Sequence, residues 1–264
     1  MSRFYSGEFY SAIALFGPYE SDNIKKYVKD WCLNADLIFA REIDSYNHLA
    51  NLVGKQEKIK IYPDFTNIVP GTLPKNYNNA DKEIALIPNH RMLDKTNKKE
   101  SDAYVPFMIM CAKYLLLKNK KPFILVHEGE ADFKLAKTIS DAVGGLPIVK
   151  ETNALHIKGI IGSCEATIGS RFHGLVSALS QAIPSLATGW SHKYERLFED
   201  YGFTEGFVNV LDSEEIIYKK IDMLIEPRIA LPIRKQLLAR SNELKLLTEE
   251  MWEMVFTEID SISY

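Results

Sequence analysis

The chain has 264 residues, 46% hydrophobic and 25% charged, the composition of a soluble globular protein of one large or two small domains. Lys plus Arg number 32 against 35 for Asp plus Glu, a net charge of −3, so no global positive field draws the chain to nucleic acid or to an anionic membrane, and any anion site has to be local. No window reaches 18 uninterrupted apolar residues, MSRFYSGEFYSAIALFG lacks the apolar core of a signal peptide, and Cys32, Cys111 and Cys164 are far apart in no metal-like spacing, so the expectation is a cytoplasmic chain without leader, membrane span or disulfide.

Along the chain, short apolar runs alternate with helical patterns. AIALFG (12–17) precedes a helix over about 21–33, LIFAR (37–41) a helix over about 43–53, and KIYPDF (60–65) ends the first series. GTLPKNYNNADK (71–82), polar and carrying Gly, Pro and three Asn, reads as a linker and a domain boundary. The alternation restarts with EIALIP (83–88) and a helix near 102–118, PFILVHE (122–128) and a helix near 131–143, then PIVK (147–150) and a helix near 154–162. It closes with ATIGS (166–170) and a helix near 171–182, PSLATGW (184–190) and a helix near 193–201, and a final strand FVNVL (207–211). Strand, helix, strand in this order implies right-handed crossovers and parallel sheets covered by helices on both faces. The expected architecture is α/β: one Rossmann-like parallel-sheet unit over 1–75, a second over 82–225, and a helical tail over 226–264 packing back on the N-terminal part.

In open parallel sheets ligands bind beyond the carboxyl ends of the strands. There the sequence places Asn89, His90 and Arg91 after EIALIP, His127 and Glu128 after PFILV, Ser170, Arg171, Phe172 and His173 after ATIG, and Trp190, Ser191, His192 and Lys193 after PSLATG. Ser170 reads as the N-cap of a helix with an apolar stripe at Leu175, Val176, Leu179 and Ile183. Arg171 to His173 then form its first turn, where backbone N–H groups lack partners. Such a turn holds anions. A guanidinium that grips phosphate or carboxylate with two parallel hydrogen bonds, and an imidazole that carries a proton, make it a site for an anion that is also chemically changed. Ser191 opens the next helix in the same way, with Lys193 in its first turn. A cation there opposes the helix dipole at a cost of up to about 1 kcal/mol, and a bound anion is the simplest reason to keep it. Against these readings, Arg91 alone fits a solvated surface group and Trp190 a packing residue. HEGEAD (127–132) lacks the second histidine of a zinc-protease helix, so no metal is expected, and the absence of Gly-x-Gly-x-x-Gly and Walker sequences disfavours nicotinamide and P-loop enzymes.

The stretch LHIKGIIGSCEATIGSRFHGLVSALSQAIPSLATGWSHKYERLFEDYG (155–202) closely resembles the polysaccharide pyruvyl transferase family, and FGPY (16–19), ADLIFAREIDS (35–45), YPDF (62–65) and IPNHRM (87–92) match its other landmarks in order. The resemblance implies a glycosyltransferase-B-like pair of Rossmann domains with the site in the cleft between them. It also implies transfer of pyruvate from phosphoenolpyruvate, as a ketal, to a sugar of a surface or exopolysaccharide. Arg171 and His173 correspond to the family's Arg-x-His-Gly arginine and histidine, and Arg91 to a phosphoenolpyruvate-binding arginine. On that chemistry His173 is the expected general acid, and His127 or Glu128 a second acid/base. Arg171, Arg91, Asn89, Ser170, Ser191, His192 and Lys193 surround the donor, with Trp190 stacked on the acceptor sugar. No cofactor is expected beyond phosphoenolpyruvate as donor substrate; the expected partners are that donor and a glycan acceptor.

Relatives usually carry further strands and a glycine-rich turn before FGPY. The N-terminal domain is therefore expected to be truncated, with a homo-oligomer or a partner chain supplying the missing part. Two alternatives remain open: a nucleotide-sugar glycosyltransferase of similar architecture, and a non-catalytic subunit.

Overall fold

Two parallel sheets organise the residues that the computed structural model describes, 11–14, 17–78, 80 and 83–262. Residues up to Ile68 together with those from Glu243 form one compact unit, and Val69–Asn242 form the other.

In the first unit β1 (Ser11–Ala14), β2 (Leu37–Ala40) and β3 (Ile59–Ile61) pair in that order, all parallel, with α1 (Asp22–Asn34) and α2 (Ile43–Val53) as crossovers. The end of the expected first strand, Leu15 and Phe16, lies outside the described residues. All four residues of β2 are buried, because successive side chains of a strand serve opposite faces and here both faces are covered. Ile38 packs with Cys32, Ala35, Leu49 and Ile59, whereas Leu37 and Phe39 pack with Met251 and Val255 of α10 (Pro227–Ile262). A 3₁₀ turn at Phe65–Ile68 is tied to that helix by Asn67 Nδ2, which donates to the Leu244 carbonyl at 3.2 Å.

The second unit holds β4 (Ile84–Ile87), β5 (Pro122–Val126), β6 (Ile148–Lys150), β7 (Ala166–Gly169) and β8 (Ser185–Ala187), ordered β6-β5-β4-β7-β8 and parallel throughout. Its crossovers are α4 (Lys98–Leu117), preceded by the short α3 (Arg91–Asp94), then α5 (Gly129–Asp141), α6 (Ala154–Gly162) and α7 (Phe172–Leu179). The chain proceeds from β4 outward to β6, then returns to the other side of β4 for β7 and β8. The order therefore reverses between β4 and β7, and a crevice opens beyond their carboxyl ends. Beyond β8 come α8 (Lys193–Asp200) and α9 (Glu214–Ile225), and the residues of α10 up to Asn242 belong to this unit.

The structure corrects the sequence reading in one element. FVNVL is not a strand: Phe207 makes an isolated bridge to Ala187, and Asn209 then turns the chain, its side chain accepting from Leu211 N while Asp212 accepts from Asn209 N. An Asn that can close its own turn competes with a strand ladder. Leu211 is exposed accordingly.

The polar stretch that begins at Gly71 packs with the second unit. Thr72 N donates to the Leu155 carbonyl at 2.9 Å, and Tyr77 packs against the core formed by Ala85, Phe123, Ile157 and Ile160. Gly71 and Gly159 allow this approach, since a Cβ on either would overlap backbone of the other segment. Backbone on both sides leaves no flexible side chain to yield. Gly159→Ala should therefore lower the unfolding free energy by about 1–3 kcal/mol, and urea unfolding measures it directly; an unchanged midpoint would show that the two segments separate freely.

Candidate active site

The crevice beyond β4 and β7 is closed at its base by a buried polar network. Asn89 Nδ2 donates to the Ser170 carbonyl at 2.8 Å, and Asn89 N to the Tyr104 hydroxyl at 2.9 Å. The Tyr104 hydroxyl in turn hydrogen-bonds Ser170 Oγ, and Tyr194 Oη donates to the Ser170 carbonyl at 3.0 Å. Asn89, Tyr104, Ser170 and Tyr194 are fully buried. Burial pushes both tyrosine hydroxyls above their ordinary value, so they remain protonated donors. A satisfied network of this kind fixes the loops that leave β4 and β7 relative to each other.

Ser170 is thus not the cap of α7, as its position in the sequence suggested. Its hydroxyl is committed to Tyr104 and the N-cap is Arg171, with extended backbone and no side-chain capping bond. Ser191 does not cap α8 either; that position is held by His192 in helical conformation, again without a side-chain cap. In both places the N-cap lies one residue after the serine.

Arg171 is the centre of the crevice. Its Nε donates to Asp132 Oδ2 at 2.7 Å, Nη2 lies 2.5 Å from the same oxygen, and Nη1 bonds Glu128 Oε2. Asp132, in the first turn of α5, also accepts the His90 backbone N–H on Oδ1 at 2.8 Å. Burial raises the Asp132 carboxyl to about 6 against the lowering effect of that N–H, which leaves it a carboxylate beside the guanidinium at neutral pH. Asp132 is the last residue of HEGEAD (127–132), a segment that the sequence reading weighed only as a metal site and set aside. It stands four positions after Glu128 at a helix start, and that pairing of acids was the one available signal. Tyr104 and Tyr194, inside helical patterns, gave none.

His127 follows β5 and is mostly buried, with Nε2 lacking a hydrogen-bond partner among the described residues. A Cβ on Gly174 would stand 3.6 Å from Nε2, so the first turn of α7 passes directly over the ring. Burial, then the charges of Arg171 and His173, push the His127 imidazole down to about 4. It is therefore neutral at physiological pH and able to accept a proton. His173 is exposed, its ring edge-on to Phe172 at 5.7 Å.

The other expected residues are placed nearby in different roles. Arg91 opens α3, bonds through its N–H to Asn89 Oδ1 at 2.9 Å, and pairs its exposed side chain with Asp94 at 2.7 Å. Lys193 Nζ lies over three rings, Phe172 at 5.1 Å, Trp190 at 5.2 Å and Tyr194 at 5.3 Å, an arrangement that offsets the charge of a cation at a helix start. Trp190 packs against Tyr194, 5.1 Å between centroids. His192 is exposed and Ser191 half-buried.

His127 supplies a pH test. The unfolded chain takes up its proton near 6.5 and the folded chain only near 4, so its contribution favours the fold above pH 6.5 and is lost on acidification. Wild type should lose stability relative to His127→Gln as pH falls from about 6.5 to about 4, with parallel behaviour above 7, in urea unfolding over a pH series. Parallel curves throughout would mean that the imidazole titrates alike in both states.

Among solved structures, the Anabaena HepE complex with UDP-glucose superposes with a TM-score of 0.59 at 12% identity, over 94% of this chain and 72% of that one. The S. aureus MnaA–UDP structure gives 0.57 at 14% identity over 89% and 62%, and accessory secretory protein 1, 2 and 3 of Streptococcus pneumoniae gives 0.57 at 10% identity over 91% and 47%. The chain thus spans between about half and seven tenths of the length of these structures. At such identities the likeness is one of fold: two Rossmann-like parallel-sheet units, glycosyltransferase-B-like, with a helical tail. No described helix is long and apolar enough to cross a membrane. The family model for polysaccharide pyruvyl transferase matches residues 11–192, from β1 to the N-cap of α8, a span that holds Arg171 with its partners Glu128 and Asp132, and the chain belongs to that family.

Proposed function

We propose that the chain transfers pyruvate from phosphoenolpyruvate to a glycan sugar as a cyclic ketal, with the donor held at the Arg171 crevice. The observation that carries this reading is the setting of Arg171: a guanidinium only 14% exposed, fixed by a buried aspartate, at the uncapped start of α7 and beside a neutral His127. Phosphoenolpyruvate brings a phosphate and a carboxylate; Arg171 at the N-terminal end of α7 forms one grip and Arg91 a second.

The reaction joins one enol phosphate to two sugar hydroxyls and releases phosphate. A proton is added to the methylene carbon, which becomes the methyl group, and the adjacent carbon becomes cationic. One hydroxyl oxygen attacks that carbon, the C–O bond to phosphate breaks, and the second hydroxyl closes the ketal. Of the two hydroxyl protons, one balances that given to the methylene and the other leaves with phosphate. No electrons are exchanged, so no redox cofactor is called for. In this reading exposed His173 delivers the first proton, and His127 receives one from a hydroxyl. Burial is the main cause of the lowered His127 pKa; a bound trianion would offset only the smaller share due to Arg171 and His173. Trp190 offers a ring face to the sugar.

A nucleotide-sugar glycosyltransferase is the second reading, favoured by the fold shared with HepE, whose structure holds UDP-glucose. Calorimetric titration separates the two. Phosphoenolpyruvate should bind in preference to UDP-glucose, and Arg171→Gln, which keeps an amide donor for Asp132, should weaken it by roughly 1.5–3 kcal/mol. His173→Ala should reduce turnover more than binding. Preference for UDP-glucose, or an unchanged affinity in the Arg171 variant, would sink the assignment.

A further inference from the structure

The two carboxylates on Arg171 are unlike in every respect that decides mobility. Asp132 is 2% exposed, engages Nε and Nη2, and is tied by its other oxygen to the His90 N–H. Releasing it would strand a charge in the interior. Glu128 is 64% exposed and engages Nη1 alone. Its carboxylate can be rehydrated when it lets go, so its release costs far less than that of Asp132.

Glu128 also occupies a position with another use for its side chain. It is the N-cap of α5, in extended conformation just before Gly129 at φ +69°, where a side-chain oxygen would ordinarily accept the helix's first N–H groups. It makes no capping bond. The carboxylate is turned instead to the guanidinium across the crevice, 43 residues further along the chain.

We propose that Glu128 is a built-in stand-in for the donor's anionic group: in the free protein its carboxylate occupies the Nη1 face of Arg171, and it swings out when an oxyanion takes that face. The identity of the oxyanion, the phosphate or carboxylate of phosphoenolpyruvate, rests on the proposed function; the exchange itself does not. This assigns Glu128 a role other than acid or base. The half-buried guanidinium is kept paired between turnovers, a ligand has to offer more than a surface glutamate does, and the returning carboxylate helps to displace the phosphate product. Glu128 acts here as a gate on the anion site, while Asp132 positions the guanidinium in both states.

The size of the effect follows from occupancy. If Glu128 holds Nη1 about nine-tenths of the time, only about a tenth of the molecules are competent and the apparent dissociation constant is raised about tenfold. The test titrates phosphoenolpyruvate and inorganic phosphate separately into the full chain by calorimetry, for wild type, Glu128→Gln, Glu130→Gln, Arg171→Gln and the Glu128→Gln/Arg171→Gln double variant, each checked for cooperative thermal unfolding. Glu128→Gln should bind the oxyanion about tenfold more tightly. Glu130→Gln removes the same charge two residues along the chain, where Glu130 faces Lys150 at 3.5 Å, and should change nothing. The double variant should bind no more tightly than Arg171→Gln alone. An unchanged or weaker affinity in Glu128→Gln, an equal gain in Glu130→Gln, or a gain that survives loss of Arg171 would each overturn the gate. Tighter phosphate binding in Glu128→Gln with no phosphoenolpyruvate binding would support the gate and defeat the donor assignment. Phosphoenolpyruvate binding that ignores Glu128 would do the reverse, and failure of every variant to bind either anion would overturn both.

Discussion

The pairing of Arg171 with Asp132 is the constraint around which the second unit's strand ends are arranged. A charged pair this far from solvent survives only when its geometry is good and its remaining donors and acceptors are satisfied. Both oxygens of Asp132 are used, one on the guanidinium and one on the His90 backbone N–H. One carboxylate therefore joins the loop after β4, the first turn of α5 and the entry to α7. Removing either partner would not merely delete a contact; it would leave the other charge buried, and three loops would lose their common tie.

The apolar sheet beneath gives that pair its strength. β4, β5, β7 and β8 are buried along their whole length, so the polar groups at their ends are backed by hydrocarbon instead of water. Low dielectric strengthens each electrostatic interaction and penalises each uncompensated charge. The same surroundings that make the Arg171–Asp132 contact worth keeping also drive His127 toward its neutral form. A cation and a neutral imidazole side by side are thus two consequences of one environment. The Asn89, Tyr104, Ser170 and Tyr194 network then removes the freedom of the loops to relax away from it.

The fold class was legible in the sequence because nearly every strand is a continuous apolar run and every crossover has a helical period. α2 and α6 lie where the pattern put them, at 43–53 and 154–162. Helix starts were less legible, since a cap is decided by where a side chain's oxygen finds a partner. Asn97 accepts from Glu100 N and begins α4 at Lys98, ahead of the apolar periodicity, while Ser170 finds Tyr104 and caps nothing. FVNVL failed because composition alone does not reveal an Asn closing a turn. In the site, the cations were legible at strand ends, and their neutralisation was not: Asp132 and Arg171 are 39 residues apart, and only the sheet's strand order makes them neighbours.

The first unit offers a comparison that sharpens what the crevice means. Arg41 also follows a strand, β2, and also pairs with a buried aspartate, Asp64, on the loop after the neighbouring strand. Asp64 is further held by the Thr66 N–H at 3.0 Å and hydroxyl at 2.6 Å. Burial alone would raise its carboxyl, yet Arg41 and the Thr66 bonds outweigh that and hold it below the usual range. That is the signature of an ion pair whose lowest state is the one already formed. A strand-end arginine with an aspartate is therefore no mark of a substrate site by itself. What sets Arg171 apart is the asymmetry of its partners, one carboxylate locked inside and one facing water, together with a neutral histidine whose inner nitrogen has no hydrogen-bond partner among the described residues. Both partners of the Arg41–Asp64 pair are largely buried, whereas on the gate proposed above the exposed Glu128 is the partner of Arg171 that a ligand of the same charge would replace.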